Sequence, residues 1–500
     1  MKKYILAIDQ GTTGSTAMIF DHSGSIVAKV NHEFTQYFPY GGWVEHDPEE
    51  IWQSVLSTVK EALSDANLTV RDIASIGITN QRETSVFWDR NTGKPYGRAI
   101  VWQCRRSAGI CGRLKEKDLE EEFHVGTGLV LDPYFSGTKI AWMMENDPEF
   151  ARLAAAGDLC FGTIDSWVVS RLTGGRVHVT DYSNASRTLM FNITSLEWDR
   201  NLLSHLGVPA EILPSVVPCS GVVAETSPDA FLGASIPIGG MVGDQQAALF
   251  GQACFRQGMS KNTYGTGSFV LVNTGETPVF SRAGMLTTIA WKIGEEKVVY
   301  ALEGAIFISG AAIQWLRDGL RIIDAASQTG PTAEMVRDTG GVYFVPALVG
   351  LGAPYWDPYA RGIIVGITRG TSREQIVRAT VESMAYQSRD VIEAMQADSG
   401  IEIPILRVDG GASVMDLLLS FQANLLGVEV QRPRVAETTA LGSAFMAGLA
   451  VGFWKDTDEL TEIWQPECTF SPTGNPEDYE KLYRGWKKAV ERSLAWEIEE

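Results

Sequence analysis

Two stretches about 250 residues apart carry one pattern, and that repetition narrows the folds open to the chain. IDQGTTGSTAMIFD (Ile8 to Asp21) and NTYGTGSFVLVNTG (Asn262 to Gly275) each read as a strand, a Gly/Thr turn, a β-rich strand and a polar turn. A duplication at this interval predicts two related domains, each offering a phosphate-binding hairpin to a shared cleft. Backbone N–H groups and hydroxyls on such a turn can cradle a phosphate. Chance recurrence is the alternative, since Gly126-Thr127-Gly128 repeats the Gly/Thr element elsewhere.

The second hairpin lies in a central stretch, Gly239 to Gly275, that also holds Asp244-Gln245-Gln246 ahead of a short helix (Ala247 to Phe250). A carboxylate can accept a proton from a hydroxyl. Set beside a phosphate cradle, it points to a kinase.

From the start of the chain, Tyr4 to Ile8 reads as a buried strand, residues 10–16 as a turn, Ala17 to Phe20 as a second strand and Ile26 to Val30 as a third. Asp47-Pro48-Glu49-Glu50 has the spacing of an N-cap, a first-turn proline and a capping-box glutamate. Ile73 to Thr79 is another apolar strand, so strands alternate with helices in an α/β architecture. In the second half, Ile405 to Val408 runs into Gly410-Gly411 and then a helix from Met415, a turn that lets a ligand approach the backbone closely. Walker A and strand-linked G-x-G-x-x-G loops are absent. A bound nucleotide is therefore held in some other way.

A chain of 500 residues exceeds one hydrophobic core, which makes two large domains the expectation. A net charge of −19 argues against nucleic-acid binding and against anionic membranes. The six cysteines (Cys104, Cys111, Cys160, Cys219, Cys254, Cys468) form no C-x-x-C pair, which argues against a zinc site or disulfide framework. The first apolar run ends at Asp9, too short for a signal peptide, and no run approaches the ~18–20 residues of a membrane span. The expected location is cytoplasmic, with no membrane insertion.

Taken in order, Asp9-Gln10-Gly11-Thr12-Thr13, Gln81-Arg82-Glu83-Thr84, Trp102-Gln103 with Arg105-Arg106, Asp132-Pro133-Tyr134-Phe135-Ser136, Gly243-Asp244-Gln245-Gln246, Tyr264-Gly265-Thr266-Gly267 and Asp409-Gly410-Gly411 resemble the FGGY carbohydrate-kinase family. That family belongs to the actin/Hsp70-like ATPase superfamily, and the likeness runs from Lys3 to about Trp486. The resemblance implies an α/β fold of two duplicated ribonuclease H-like (actin-like ATPase) domains flanking a catalytic cleft. Residues 1–251 would form the N-terminal FGGY domain, mainly binding glycerol and carrying the first phosphate loop. Residues 252–500 would form the C-terminal domain, mainly binding nucleotide.

The implied activity is ATP-dependent phosphorylation of glycerol to sn-glycerol 3-phosphate. Two alternatives stay open: a kinase for another polyol or sugar, and a non-catalytic actin-like nucleotide switch. By the same resemblance Asp244 is the general base. Arg82, Glu83, Asp244, Gln245 and Tyr134 read the hydroxyls, with Trp102 and Phe269 packed on the carbon chain. Asp9 holds Mg²⁺ through water, Thr12, Thr13 and Gly14 cradle the transferring phosphate, and Thr266 and Gly267 the β-phosphate side. Gly310, Gln314 and Gly411 surround the adenosine end, and a homodimer or homotetramer is implied.

Two nucleotide-side positions depart from the pattern: Thr16 stands where the family usually has arginine, and Met415 where it usually has asparagine. Without the arginine, Mg²⁺ and the backbone N–H groups of Gly11 to Gly14 are expected to carry more of the phosphate charge.

Overall fold

The computed structural model describes residues 3–497. Its first sheet opens with an antiparallel meander of β1 (Tyr4–Gln10), β2 (Gly14–Phe20) and β3 (Ile26–Glu33). β4 (Ile73–Asn80) joins β1 in parallel, β5 (Ser220–Glu225) forms the far edge, and β6 (Pro237–Gly243) lies between them, parallel to β4 and antiparallel to β5. The order is β5-β6-β4-β1-β2-β3. Ile5 to Ile8 are wholly buried, as expected for a strand with packed layers on both faces.

The second sheet repeats this plan. Its meander is β7 (Ser260–Tyr264), β8 (Ser268–Gly275) and β10 (Val299–Ile306), with β9 (Leu286–Trp291) added outside β10. β11 (Ile405–Gly410) is parallel to β7, β12 (Glu429–Pro433) parallel to β11, and β13 (Pro466–Phe470) antiparallel at the edge. The duplication seen in two hairpins therefore extends through two whole sheets.

The first Gly/Thr turn is tighter than the residues 10–16 expected for it. β2 starts at Gly14 and not Ala17, because Ser15 and Thr16 already pair with Gln10 and Asp9. Gly11 N–H closes the turn on Gly14 C=O at 2.9 Å. Helix α1 (Pro48–Asp65) begins as expected, with Asp47 accepting from the N–H groups of Glu49 (2.8 Å) and Glu50 (3.4 Å). Glu50, however, does not complete a capping box. Its carboxylate accepts from Tyr37 Oη–H (2.6 Å) and Thr35 N–H (3.2 Å), donors that the preceding loop brings to the same place.

The halves interlock beneath the first sheet. α2 (Asp244–Gly251) crosses α4 (Thr438–Ala450) so closely that a Cβ on Gly442 would lie 1.9 Å from Ala247 C=O. Between them they bury one core that includes Ile5, Val242, Leu249, Leu271, Ala301 and Phe445, residues from both sheets. α3 (Arg373–Ser399) covers the second sheet. Among the described residues no helix is long and apolar enough to cross a membrane.

Candidate active site

Asp244 is the first residue of α2, where the helix dipole favours a negative charge. Its Oδ1 accepts the Gln245 N–H at 2.8 Å and lies 3.1 Å from Arg82 Nε, while 32% of the side chain stays exposed. Burial raises the Asp244 pKa, and the Arg82 guanidinium opposes that shift. Arg82 has no freedom left. Nη1 donates to Glu303 Oε2 (2.5 Å) and Gln246 Oε1 (3.2 Å), and Nη2 donates to Glu303 Oε1 (3.1 Å).

Next to it, Glu83 holds a left-handed backbone with φ 61°, a conformation that costs a non-glycine residue about 1–3 kcal/mol unless its surroundings enforce it. Here they do. Ser136 Oγ donates to Glu83 C=O (3.0 Å), and Arg187 Nε donates to Glu83 Oε1 (2.7 Å). Arg187 Nη2 continues to Glu303 Oε1 (2.9 Å), while its Nη1 is buried without a partner. Two guanidinium groups and two carboxylates thus form a neutral quartet with almost no exposure to water. Burial alone would raise the Glu303 pKa, but Arg187 and Arg82 hold it at about 2.

Neither Glu303 nor Arg187 was identified from the sequence. The available signal was a lone carboxylate in the apolar strand VYALEGAI, since a fully buried charge is nearly always paired.

Trp102 and Phe269, expected as an aromatic wall on the carbon chain, and Tyr134, expected to read a hydroxyl, are all half-buried. Trp102 Nε1–H donates to Thr12 Oγ1 at 3.0 Å, which ties the wall to the first Gly/Thr turn. The Tyr134 ring meets it edge-on, with centroids 5.5 Å apart. Phe269 lies on β8 opposite Thr263, one same-face position from Leu271, the partner of Lys261. Lys261 in turn donates to Gln245 Oε1 at 2.5 Å. The structure therefore gathers Arg82, Glu83, Asp244 and Gln245 through direct contacts, and Tyr134, its ring 5.8 Å from the Arg187 guanidinium, joins Trp102 to the same cluster.

On the side expected to take the nucleotide, Asp9 and Thr16 face each other across β1 and β2, and Thr16 Oγ1 accepts from Asn31 Nδ2 at 2.8 Å. Thr13 and Thr266 are exposed at the tips of their turns, and Gly14 is buried at the start of β2. Gly267 closes the second turn, its C=O accepting from Gly265 N–H at 2.8 Å. The N–H groups of Ser309 and Ala311 bond to Thr266 C=O, and Gly310 N–H to Gly265 C=O, each at 3.0 Å. That arrangement docks the helical turn carrying Gly310 and exposed Gln314 on the second hairpin. Gly410 (φ 85°) presses against the end of β7, where a Cβ would lie 2.4 Å from Tyr264 C=O, and exposed Gly411 follows.

Met415 packs inward. Its side chain is 9% exposed and turned inward against Gly330, while its N–H and C=O are spent on Ala412 and Leu419. Neighbouring Val414, 72% exposed, is the side chain that faces outward there.

The Asp9 pKa is raised to about 7, first by burial and then by Asp244 and Glu437, with Lys29 opposing. Such an excess of negative charge suits a divalent cation. Among the described residues no group of three or more His, Cys, Asp or Glu could cage one. The donor set fits Mg²⁺, which keeps several waters and relies on one or two carboxylates plus phosphate oxygens.

Residues 4–251 match the FGGY family of carbohydrate kinases, N-terminal domain, and residues 260–451 match the C-terminal domain. The chain is 60% identical over 495 residues to glycerol kinase 2 of Thermotoga maritima, covering 99% of each. It is 60% identical over 496 residues to the glycerol kinase of Caldanaerobacter subterraneus subsp. tengcongensis, again covering 99% of each. Among solved structures, Plasmodium falciparum glycerol kinase with ADP superposes with a TM-score of 0.92 at 36% identity over 99% of both chains. A gluconate kinase from Lactobacillus acidophilus, at 22% identity and a TM-score of 0.88 over 98% of both chains, shares the fold.

Proposed function

The chain belongs to the FGGY family of carbohydrate kinases, and we propose that it transfers the γ-phosphoryl group of ATP to glycerol, giving sn-glycerol 3-phosphate. The observation that carries this reading is the Asp244 carboxylate, partly exposed yet held 3.1 Å from an Arg82 that is locked by Glu303. A base in that position serves a hydroxyl acceptor bound between the Arg82–Glu83 turn and the aromatic wall.

Arg82 and Glu83 orient glycerol through two hydroxyls, while Trp102 and Phe269 cover its carbon chain. A site that reads hydroxyls in this way rejects analogues that would leave its buried polar groups unpaired. Asp244 accepts the proton of the third hydroxyl as its oxygen attacks the γ-phosphorus, a contribution of roughly 10²–10⁴-fold in rate. ADP leaves as the new P–O bond forms. The remaining acceleration is positioning and charge neutralisation, which fall to the backbone N–H groups of the two Gly/Thr turns and to Thr12, Thr13 and Thr266. Asp9 would hold the Mg²⁺ of Mg-ATP, whose chemistry is to offset charge on the phosphate oxygens.

Release of ADP should be measured with ATP and glycerol, with ATP and xylulose, and with ATP alone. Turnover is expected with glycerol only. Faster turnover with the sugar would reassign the acceptor, and turnover independent of acceptor would remove the kinase reading.

A further inference from the structure

Lys261 is the buried cation that the quartet does not use. It stands on β7 with none of its surface exposed, and its ammonium has two neutral partners, Gln245 Oε1 (2.5 Å) and Thr263 Oγ1 (2.9 Å). Among the described residues no carboxylate oxygen lies within 4.0 Å of it. An ammonium is a donor only. While Lys261 is protonated, the Gln245 carboxamide can therefore meet it only through its oxygen, and the NH₂ end points the other way. Most amide orientations must be inferred from a network. Here the charge dictates the choice.

The groups facing this ammonium from the packed elements are Asp409 on β11, Glu303 on β10, Asp244 on α2 and Arg82 after β4. Glu303 is neutralised by two guanidinium groups. Asp409 Oδ2 accepts from Gln252 Nε2 and Thr438 Oγ1, both at 2.7 Å. Asp244 is the one carboxylate of the three that keeps part of its side chain exposed.

We propose that Lys261 is a positioning residue for the transfer: it fixes Gln245 so that its NH₂ faces the acceptor hydroxyls, and it keeps the neighbouring Asp244 ionised. The proposal rests on the roles given above to Asp244 and Gln245. Two readouts follow. Removing the charge should raise the glycerol KM, because the amide loses its fixed orientation. It should also move the acid limb of kcat/KM to higher pH, because Asp244 loses one of the two cations that oppose its protonation. Burial moreover lowers the Lys261 pKa to about 8. In the native protein the glycerol KM should then climb above that pH as the ammonium loses its proton and the amide is free to turn.

The test compares wild type, Lys261→Met and Lys261→Arg, with Gln245→Leu alone and combined with Lys261→Met, in glycerol and ATP kinetics from about pH 5 to about pH 9.5. Thermal unfolding checks each fold. For Lys261→Met we expect a glycerol KM about tenfold higher, the acid limb shifted up by about one pH unit, an ATP KM within about twofold, and little further KM change on top of Gln245→Leu. Lys261→Arg should keep the acid limb in place and abolish the rise in KM above about pH 8, a readout that survives even if the methionine variant does not fold. An unmoved acid limb in a folded Lys261→Met, a KM effect that adds fully to that of Gln245→Leu, or an unchanged alkaline rise in Lys261→Arg would overturn the proposal. Failure of wild type to phosphorylate glycerol would instead overturn the function on which it rests.

Discussion

Glu303, on a strand of the second sheet, closes a two-bonded ion pair with Arg82, on a turn of the first, with contacts of 2.5 and 3.1 Å. The arginine proposed to orient glycerol is thereby held by the half of the protein expected to bind nucleotide. Arg187 joins the same carboxylate, so Glu303 bridges two buried guanidinium groups, and Glu83 supplies the second negative charge.

Glu303→Gln should therefore be costly. Removing one partner of a buried pair strands the other charge, a loss of about 3–5 kcal/mol. Denaturant unfolding should register that loss, and the glycerol KM should rise because Arg82 is no longer held. A stability change below about 1 kcal/mol would mean that the quartet is not the anchor described here.

Asp244→Asn should leave the fold intact, since an amide oxygen can still accept the Gln245 N–H at the start of α2. The glycerol KM should change little while kcat falls about 10²-fold or more. Near-native turnover in steady-state assays would remove Asp244 as the base.

Thr16→Arg adds a guanidinium opposite Asp9, on a face where Lys29 is already committed to Glu437. Asp9, Glu437 and Asp244 leave this region rich in negative charge. We expect kcat/KM for ATP to rise by roughly the tenfold that about 1.4 kcal/mol represents, with the glycerol KM hardly changed. A fall in a correctly folded variant would show that Lys29 and the backbone already satisfy the phosphate.

Asp165 and Asp181 are both fully buried, and the Asp165 pKa is raised to about 7 by burial and then by Asp181. A folded-state value above the ordinary 3.8 means that the folded protein binds this proton more tightly than the unfolded chain. Stability should then decline as pH rises from 3.8 to about 7, the full cost being present above that window. Asp165→Asn should raise the melting temperature at about pH 8 relative to wild type, with little gain at about pH 4. Equal shifts at both values would show that the buried carboxylate does not titrate as described.

Much of the local structure was legible in the sequence because it depends on neighbours in the chain. Apolar runs gave β1, β4 and β11, Gly/Thr turns gave both hairpins, and Asp47-Pro48 placed the start of α1. The same local logic failed at Glu50, whose expected cap partner lost to Tyr37 and Thr35. At Met415, a position in a motif did not reveal which way the side chain turned.

The sequence by itself determined an α/β chain with two hairpins suited to phosphate, with Asp244-Gln245 ahead of a short helix and Arg82-Glu83 just past a buried strand. Strand period, turn chemistry and motif order are properties of contiguous residues, so they survive without coordinates. Only the tertiary structure decided who neutralises whom. A buried charge must find its partner, but that partner is set by which strands the sheet order places side by side. Glu303 and Arg82 are 221 residues apart, and no local pattern joins them. The interlock of α2 with α4 was likewise invisible, because an apolar helix announces that it will be buried without saying under which sheet.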